Sequence, residues 1–346
     1  MIIIDGIIFT LQKSGGISVY FYELLQKLQK KDESISLILY ENDNKYTRND
    51  FFTINSKIRK HIALERFSRV NVIGLYNDIF HSSYYRLPSK KFKGKIITTV
   101  HDFTEEIYPR GIISKILYFQ KRKAILNSDG LICISENTKR DMHRFIPESV
   151  DIPTKVIYNG VGDFVHKKLD GNYENFIIFV GARGGYKNFE MCVLALKKLH
   201  DIRLIVVGGG DFSSSETRFL NDNIHGRFAH MGFVTLEKLN ELYQKALALV
   251  YPSEYEGFGI PVIEAMKSGC PVIAAETPAI QEVSNGSAIL IANISAEKIE
   301  ESIRNLANHK IRVEKIQLGI ENSKIFSWDK MAEETLSFYN EIRGIK

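Results

Sequence analysis

Cysteine is scarce in this chain: Cys133, Cys192 and Cys270 lie far apart with no C-x-x-C spacing, which excludes a disulfide framework and a cysteine zinc site and fits a reducing cytoplasm. Long apolar runs are missing too. No stretch approaches the roughly 20 apolar residues that a membrane span needs. The opening Met1-Ile2-Ile3-Ile4-Asp5-Gly6 lacks the basic flank and small-residue cleavage site of a signal peptide, so a cytoplasmic chain, soluble or peripheral, is expected. There is no internal repeat, no low-complexity segment and no RNA or DNA motif, so nucleic acid is not an expected partner. The Gly15-Gly16 loop does not supply G-x-G-x-x-G, which argues against a nicotinamide cofactor.

What is present is the composition of a folded protein, 44% hydrophobic and 25% charged, and 346 residues exceed what one ordinary core supports. Two domains are therefore expected. The net charge of +5 is uneven: residues 1–165 carry 25 Lys and Arg against 18 Asp and Glu, while the second half is slightly acidic. Basic residues concentrate from Lys57 to Lys95, and Lys121-Arg122-Lys123 follows Tyr118-Phe119. Such a face can rest on an anionic membrane, with Lys90 to Lys95 as its expected contact, and it equally fits a solvated surface that keeps the protein soluble.

Short apolar runs alternate with helix-length segments, the pattern of doubly wound parallel sheets. In the first half the strand candidates are Ile2–Ile4, Ser36–Tyr40, Ile79–His81, Lys95–Val100 and Gly130–Ile134, with helices near Val19–Lys30 and Ser114–Leu126. A Gly and Asn cluster from Tyr158 to Asp163 reads as the interdomain linker. The rhythm restarts with Asn175–Val180, Arg203–Val207, Ala229–Phe233, Ala246–Tyr251 and Pro271–Ala275. The expected division is 1–165, 166–327 and a terminal helix in 328–346.

In such sheets ligands sit at the carboxyl ends of strands. Gly15 and Gly16 precede a helix, where backbone N–H groups can meet a phosphate, although a Gly-Gly loop is also an ordinary turn. After Phe176–Val180 comes Gly181-Ala182-Arg183-Gly184-Gly185-Tyr186-Lys187, two fixed cations flanking glycines, a composition suited to gripping a diphosphate. Gly208-Gly209-Gly210 follows the next strand. Then Tyr251-Pro252-Ser253-Glu254-Tyr255-Glu256-Gly257-Phe258-Gly259-Ile260-Pro261 leads into a helix carrying Glu264, so that Glu256 and Glu264 are expected to face one cleft. For Glu264 alone, stabilisation of a helix start is the ordinary reading. For His101, a satisfied histidine at a strand end is the ordinary one.

The Glu256-x7-Glu264 phrase followed by Ala265-Met266 and Gly269-Cys270-Pro271-Val272 resembles the signature of the retaining glycosyltransferases of family 4. The resemblance extends over nearly the whole chain: Gly15-Gly16-Ile17-Ser18, His101-Asp102, Ile134 to Thr138, Tyr158-Asn159-Gly160-Val161, Arg183 with Lys187, and Phe233-Val234. It implies the GT-B fold, two Rossmann-like domains facing across a cleft with the C-terminal helix crossing back to the N-terminal domain. It implies that Arg183 and Lys187 bind the donor diphosphate, Glu264 the ribose, and Glu256 the transferred sugar. Gly257, Phe258 and Gly259 would offer backbone to sugar and phosphate, with Gly15, Gly16 and Gly208 at the donor, Val234 near the base and His101 near the scissile bond. One departure stands: only three residues separate Arg183 from Lys187, where the family's spacing varies.

No two aspartates are separated by one residue, so the D-x-D signature for a donor-bound divalent cation is absent, and metal-independent, same-face transfer is expected with no cofactor. The implied donor is a nucleotide sugar, GDP-mannose first and UDP- or dTDP-sugars next. The implied acceptor is a lipid-linked oligosaccharide at the inner membrane face, met by loops such as Ser82-Ser83-Tyr84-Tyr85-Arg86. The rivals are a nucleotide-sugar epimerase, a phosphorylase and a non-catalytic scaffold on the same fold.

Overall fold

The computed structural model describes residues 1–31, 34–47, 65–166 and 173–344, with 55–59 as backbone alone. The side chains of Lys57 and Arg59, and Lys60 altogether, lie outside the described residues. The chain divides into two compact units, Met1–Gly160 with Ser327–Lys346, and Val161–Phe326. Residues 161–165 thus group with the second unit rather than the first.

Among the described residues the first unit has a parallel sheet of seven strands: β1 (Ile2–Asp5), β2 (Ile35–Tyr40), β3 (Asn55–Arg59), β4 (Ile79–Ser82), β5 (Lys95–Val100), β6 (Gly130–Cys133) and β7 (Thr154–Val156). Their order is β3-β2-β1-β4-β5-β6-β7. The second unit has β8 (Phe176–Val180), β9 (Arg203–Val207), β10 (Phe228–His230), β11 (Ala248–Tyr251), β12 (Val272–Ala275) and β13 (Ile289–Ile291), in the order β10-β9-β8-β11-β12-β13. Every pairing is parallel. The expected strands all exist except that Ala229–Phe233 is replaced by Phe228–His230. The strands the sequence left unmarked, β3, β7 and β13, are sheet edges. An edge strand buries less of each face and has no need of the apolar run that marks a central one.

In each sheet the strand order reverses once, between β1 and β4 and between β8 and β11. A crevice forms at the carboxyl ends there, because the connections leave in opposite directions.

The C-terminal helix, Trp328–Arg343, packs against helix Gly16–Lys30 of the first unit. Met331, Ala332, Phe338 and Tyr339 join the core formed by Tyr20, Phe21, Leu24, Ile2 and Ile4. Buried His81 locks the position: its Nδ1 lies 2.6 Å from the Tyr339 hydroxyl and its Nε2 2.8 Å from Thr99 Oγ1. Gly160 marks where the chain leaves the unit. A Cβ there would fall 2.2 Å from the Trp328 amide nitrogen, so the departing and returning strands of chain lie side by side only because Gly160 has no side chain.

The β1/β4 crevice holds a buried ionic network instead of an open loop. Arg86 Nη1 donates to Asp5 at 3.1 Å and to the Tyr40 hydroxyl at 2.6 Å, while Nη2 donates to Glu65 at 2.7 Å. Ser83 Oγ accepts the Ile8 N–H at 3.0 Å, and Ser82, Ser83, Tyr85 and Arg86 are all buried. The expectation that Ser82 to Arg86 meets an acceptor therefore needs correction: these polar groups are spent inside the fold, where a buried charge is tolerated only if paired and hydrogen-bonded. Tyr84 alone of the five is half-buried.

Candidate functional site

At the β8/β11 crevice the two loops leaving the sheet are tied together. The loop after β8 turns through left-handed Gly181 (φ +119°), Gly185 (φ +56°) and Asn188 (φ +50°) before helix Phe189–Ala195. The Asn188 side-chain amide donates to the Pro252 carbonyl at 3.2 Å and to Glu254 at 3.0 Å, and the Glu254 N–H donates to the Tyr186 carbonyl at 2.8 Å. This stitching brings Lys187, from the β8 side, onto Glu256, from the β11 side, as a mostly buried ion pair. The Lys187 ammonium also lies 5.1 Å from the Tyr186 ring centre and 5.6 Å from that of Tyr251, a cation over aromatic faces. One ammonium hydrogen serves Glu256, leaving donors for a ligand.

Glu264 belongs to helix Ile260–Lys267, which Gly259 starts. Gly259 has φ +101° and its missing Cβ would sit 2.6 Å from Ile280 Cδ1, so both backbone conformation and space demand glycine. Pro261 lies in the first turn, where its missing N–H costs nothing. Glu264 lies beyond that turn and does not cap it. Its Oε2 instead accepts the Tyr243 hydroxyl at 3.2 Å. Burial pushes the Glu264 carboxyl up to about 7, against the opposing hydrogen bond from Tyr243. Burial also drives the Tyr251 hydroxyl well above its ordinary range, and the charges of Glu256 and Glu264 push the same way. Both carboxylates thus act on one phenol, a proximity that the nine-residue phrase alone does not establish.

Arg183 is deployed differently from Lys187. Nε donates to Glu216 at 2.7 Å, Nη1 to the carbonyls of Gly208 at 3.2 Å and Gly210 at 3.0 Å, and Nη2 to that of Asp211 at 2.8 Å. Gly208, Gly209 and Gly210 follow β9 in three successive left-handed conformations, φ +77°, +75° and +73°. Phe258 is buried edge-on to Phe326, 5.7 Å between ring centres, so its side chain belongs to the core. Val234 is half-buried beside Phe233, which is 76% exposed. Glu216 and Tyr243 were missed by sequence reasoning. Each stands inside a helix with only a capping motif or an apolar period around it, and neither context signals a site.

In the first unit, His101 follows β5 and is 5% exposed, its ring edge-on to Tyr20 at 5.2 Å between centres. Its Nε2 is buried with no hydrogen-bond partner among the described residues. Burial pushes its pKa down to about 4; Asp102 opposes this and Lys121 adds to it. The imidazole is therefore neutral, with one ring nitrogen uncommitted. Buried Lys121 braces this loop, donating to the Asp102 carbonyl at 2.9 Å and pairing with Glu106 at 2.8 Å. Gly15 caps helix Gly16–Lys30, and its N–H is engaged by Ser18 Oγ at 3.0 Å, with Gly16 opening the first turn.

Residues 14–163 match the family described as Glycosyltransferase Family 4, and residues 163–322 match Glycosyl transferases group 1. The O-antigen chain mannosyltransferase RfbU of Salmonella typhimurium is 32% identical over 215 residues, which span 60% of this chain and 60%, less than two thirds, of that protein. A sucrose-phosphate synthase from Thermosynechococcus elongatus shares the fold with a TM-score of 0.79 at 19% identity, covering 99% of both chains. HepE of Anabaena, solved with UDP-glucose, does so with a TM-score of 0.75 at 14% identity, covering 97% of this chain and 99% of that one. With the two family matches adjoining at residue 163 and together spanning residues 14–322, and with two doubly wound parallel sheets, the chain belongs to the family 4 glycosyltransferases and has their GT-B fold.

Proposed function

We propose that this enzyme moves a hexose from a nucleotide sugar to a saccharide hydroxyl during assembly of an O-antigen type polysaccharide. The observation that carries the reading is the Lys187–Glu256 pair at the β8/β11 crevice with Glu264 on the adjoining helix. Lys187 neutralises the departing diphosphate, so transfer needs neither metal nor cofactor. Glu256 positions the sugar hydroxyls, Glu264 accepts the ribose hydroxyls, and backbone at Gly257 and Gly259 faces sugar and phosphate. Val234 with Phe233 marks the base side. The family resemblance alone assigns His101 to the scissile bond; within the first unit its neutral imidazole keeps Nε2 uncommitted. Departure of the nucleoside diphosphate gives the sugar oxocarbenium character, and the acceptor attacks from the same face.

The name of the Salmonella relative favours GDP-mannose as donor, and the HepE complex keeps UDP-sugars close behind. The test is thermal stabilisation by GDP, UDP and dTDP. One of them should raise Tm by several degrees, since a ligand at 100 times its Kd adds about 2.7 kcal/mol, and Glu264→Ala should lose that response. No stabilisation by any nucleotide would favour a scaffold; turnover of the nucleotide sugar without acceptor would favour an epimerase.

We propose further that the acceptor is lipid-linked and that helix Ile112–Leu126 lays the first unit on an anionic membrane. Ile112, Ile113, Ile116 and Phe119 are 74%, 64%, 48% and 65% exposed on its outer face, a patch that water disfavours. From Ile107 to Ser128 there is no acidic residue, and exposed Arg110, Lys115 and Lys123 flank the patch, which complements anionic lipid rather than a second copy of the same basic face. Lys121 is excluded from the contact, being buried with Glu106. The helix begins on the carboxyl side of β5, the side on which His101 sits, whereas Lys90, Lys91 and Lys93 precede that strand. Substituting both Ile116 and Phe119 by Glu should abolish sedimentation with phosphatidylglycerol vesicles and leave nucleotide binding intact. Retained sedimentation, or its loss on reversing Lys90, Lys91 and Lys93 instead, would refute the assignment.

A further inference from the structure

We infer that Arg183 is a positioning residue that holds the Gly208–Asp211 turn, and that it is not a ligand of the donor diphosphate. The inference rests on the donor-site reading above but departs from the role the family resemblance implies for this arginine.

A guanidinium has five N–H groups, and four of them are used within the protein: one on Glu216, two on the carbonyls of Gly208 and Gly210, and one on that of Asp211. The carboxylate at 2.7 Å balances its charge, so the pair presents little net positive potential to an anion. The Arg183 plane is also covered, its Cζ 4.7 Å from the Phe212 ring centre. Glu216 is held in turn: it closes a capping box with Ser213, accepting the Ser213 N–H at 2.7 Å while the Ser213 hydroxyl accepts the Glu216 N–H at 3.2 Å. Arg183 first, then the Ser213 contacts, draw the Glu216 carboxyl down to about 2, so it remains ionised at any working pH.

The turn needs such a clamp. Three consecutive residues in the left-handed region are possible because all are glycine, and glycine has the most conformational freedom to lose on ordering. A Cβ at Gly209 would fall 2.5 Å from the Gly181 carbonyl oxygen and 2.7 Å from Arg183 Nη1, so the turn and the guanidinium are packed directly on each other. His230 Nε2 adds a contact to the Gly208 carbonyl at 3.0 Å. The clamp joins the exits of β8 and β9, one strand over from the β8/β11 reversal at which a doubly wound sheet receives its ligand. Lys187 differs in kind: its compact ammonium keeps two donors and has a carboxylate partner that can turn to the sugar.

The experiment is a double-mutant cycle on Arg183→Gln and Glu216→Ala, read by calorimetric titration with GDP, UDP, guanosine and uridine, and by hydrogen exchange of the 208–211 amides without nucleotide. If Arg183 positions the turn, both single variants exchange faster at 208–211. Each then weakens the diphosphate and its nucleoside by a similar factor, about tenfold, and the double variant is no worse than the poorer single. A guanidinium that grips phosphate predicts the reverse pattern: Arg183→Gln weakens GDP or UDP but not the nucleosides, and Glu216→Ala strengthens the diphosphate by freeing the cation. That pattern would overturn the inference. Should no nucleotide bind the wild type, the donor-site reading falls while the exchange data still decide the clamp: protection unchanged in both variants would sink it.

Discussion

Lys187→Ala is expected to reduce kcat by about 10²- to 10³-fold, the usual cost of removing one preorganised charge from a developing anion. The ammonium meets its greatest demand when the bond to the diphosphate breaks, because negative charge then accumulates on the leaving group. Its effect should therefore fall more on kcat than on KM. Removal also leaves Glu256, whose side chain is only 13% exposed, as a carboxylate without its cation, which repels the diphosphate and deepens the loss. Lys187→Arg should restore part of the rate, since charge is kept while reach and shape change. Steady-state kinetics with and without EDTA give the check: a wild-type rate that collapses in EDTA would defeat the metal-independent reading. A Lys187→Ala enzyme within threefold of wild type would remove the ammonium from the mechanism.

Raising the pH from 6 to 8 is expected to strengthen nucleotide binding about tenfold through Glu264, beyond any effect of the phosphate's own titration. The proposed contact is an ionised carboxylate accepting ribose hydroxyls. With the carboxyl near 7, the ionised fraction climbs about tenfold over that interval. The stability of the nucleotide-free protein runs the other way. A carboxyl whose folded pKa lies above its unfolded value of 4.5 binds its proton more tightly in the native state. Stability is thus lost as pH rises from about 4.5 to about 7, on the order of 3 kcal/mol in all. Glu264→Gln should flatten both trends, because the amide cannot titrate. Denaturant melts between pH 5 and 8 and nucleotide titrations at pH 6, 7 and 8 test the pair. A Gln variant that keeps the wild-type slopes would place the titrating group elsewhere.

The central strands were legible because they are buried on both faces and must carry apolar runs, as Ile2–Ile4 and Phe176–Val180 do. The Glu256 to Glu264 phrase was legible because a left-handed Gly259, an N-terminal Pro261 and a carboxylate one turn later are local requirements, each met by its own residue. Arg183 was misleading for a physical reason. A cation beside glycines at a strand end reads the same whether it faces a phosphate or a carboxylate 33 residues away, and Glu216 announces itself only as part of a helix cap. Ser82 to Arg86 was misleading in the same way, since nothing local says that Asp5, Tyr40 and Glu65 will converge on one arginine.

The sequence by itself determined the central elements, the two-unit organisation and the family, because hydrophobic period, turn residues and capping are set by neighbours a few positions apart. Only the tertiary structure decided which charges face one another. The reversal of strand order between β8 and β11 joins Lys187 to Glu256 across 69 residues, and the exits of β8 and β9 join Arg183 to Glu216. Coulombic and hydrogen-bonding partners depend on distance in space. Strand order, which no local stretch of chain encodes, is what sets that distance.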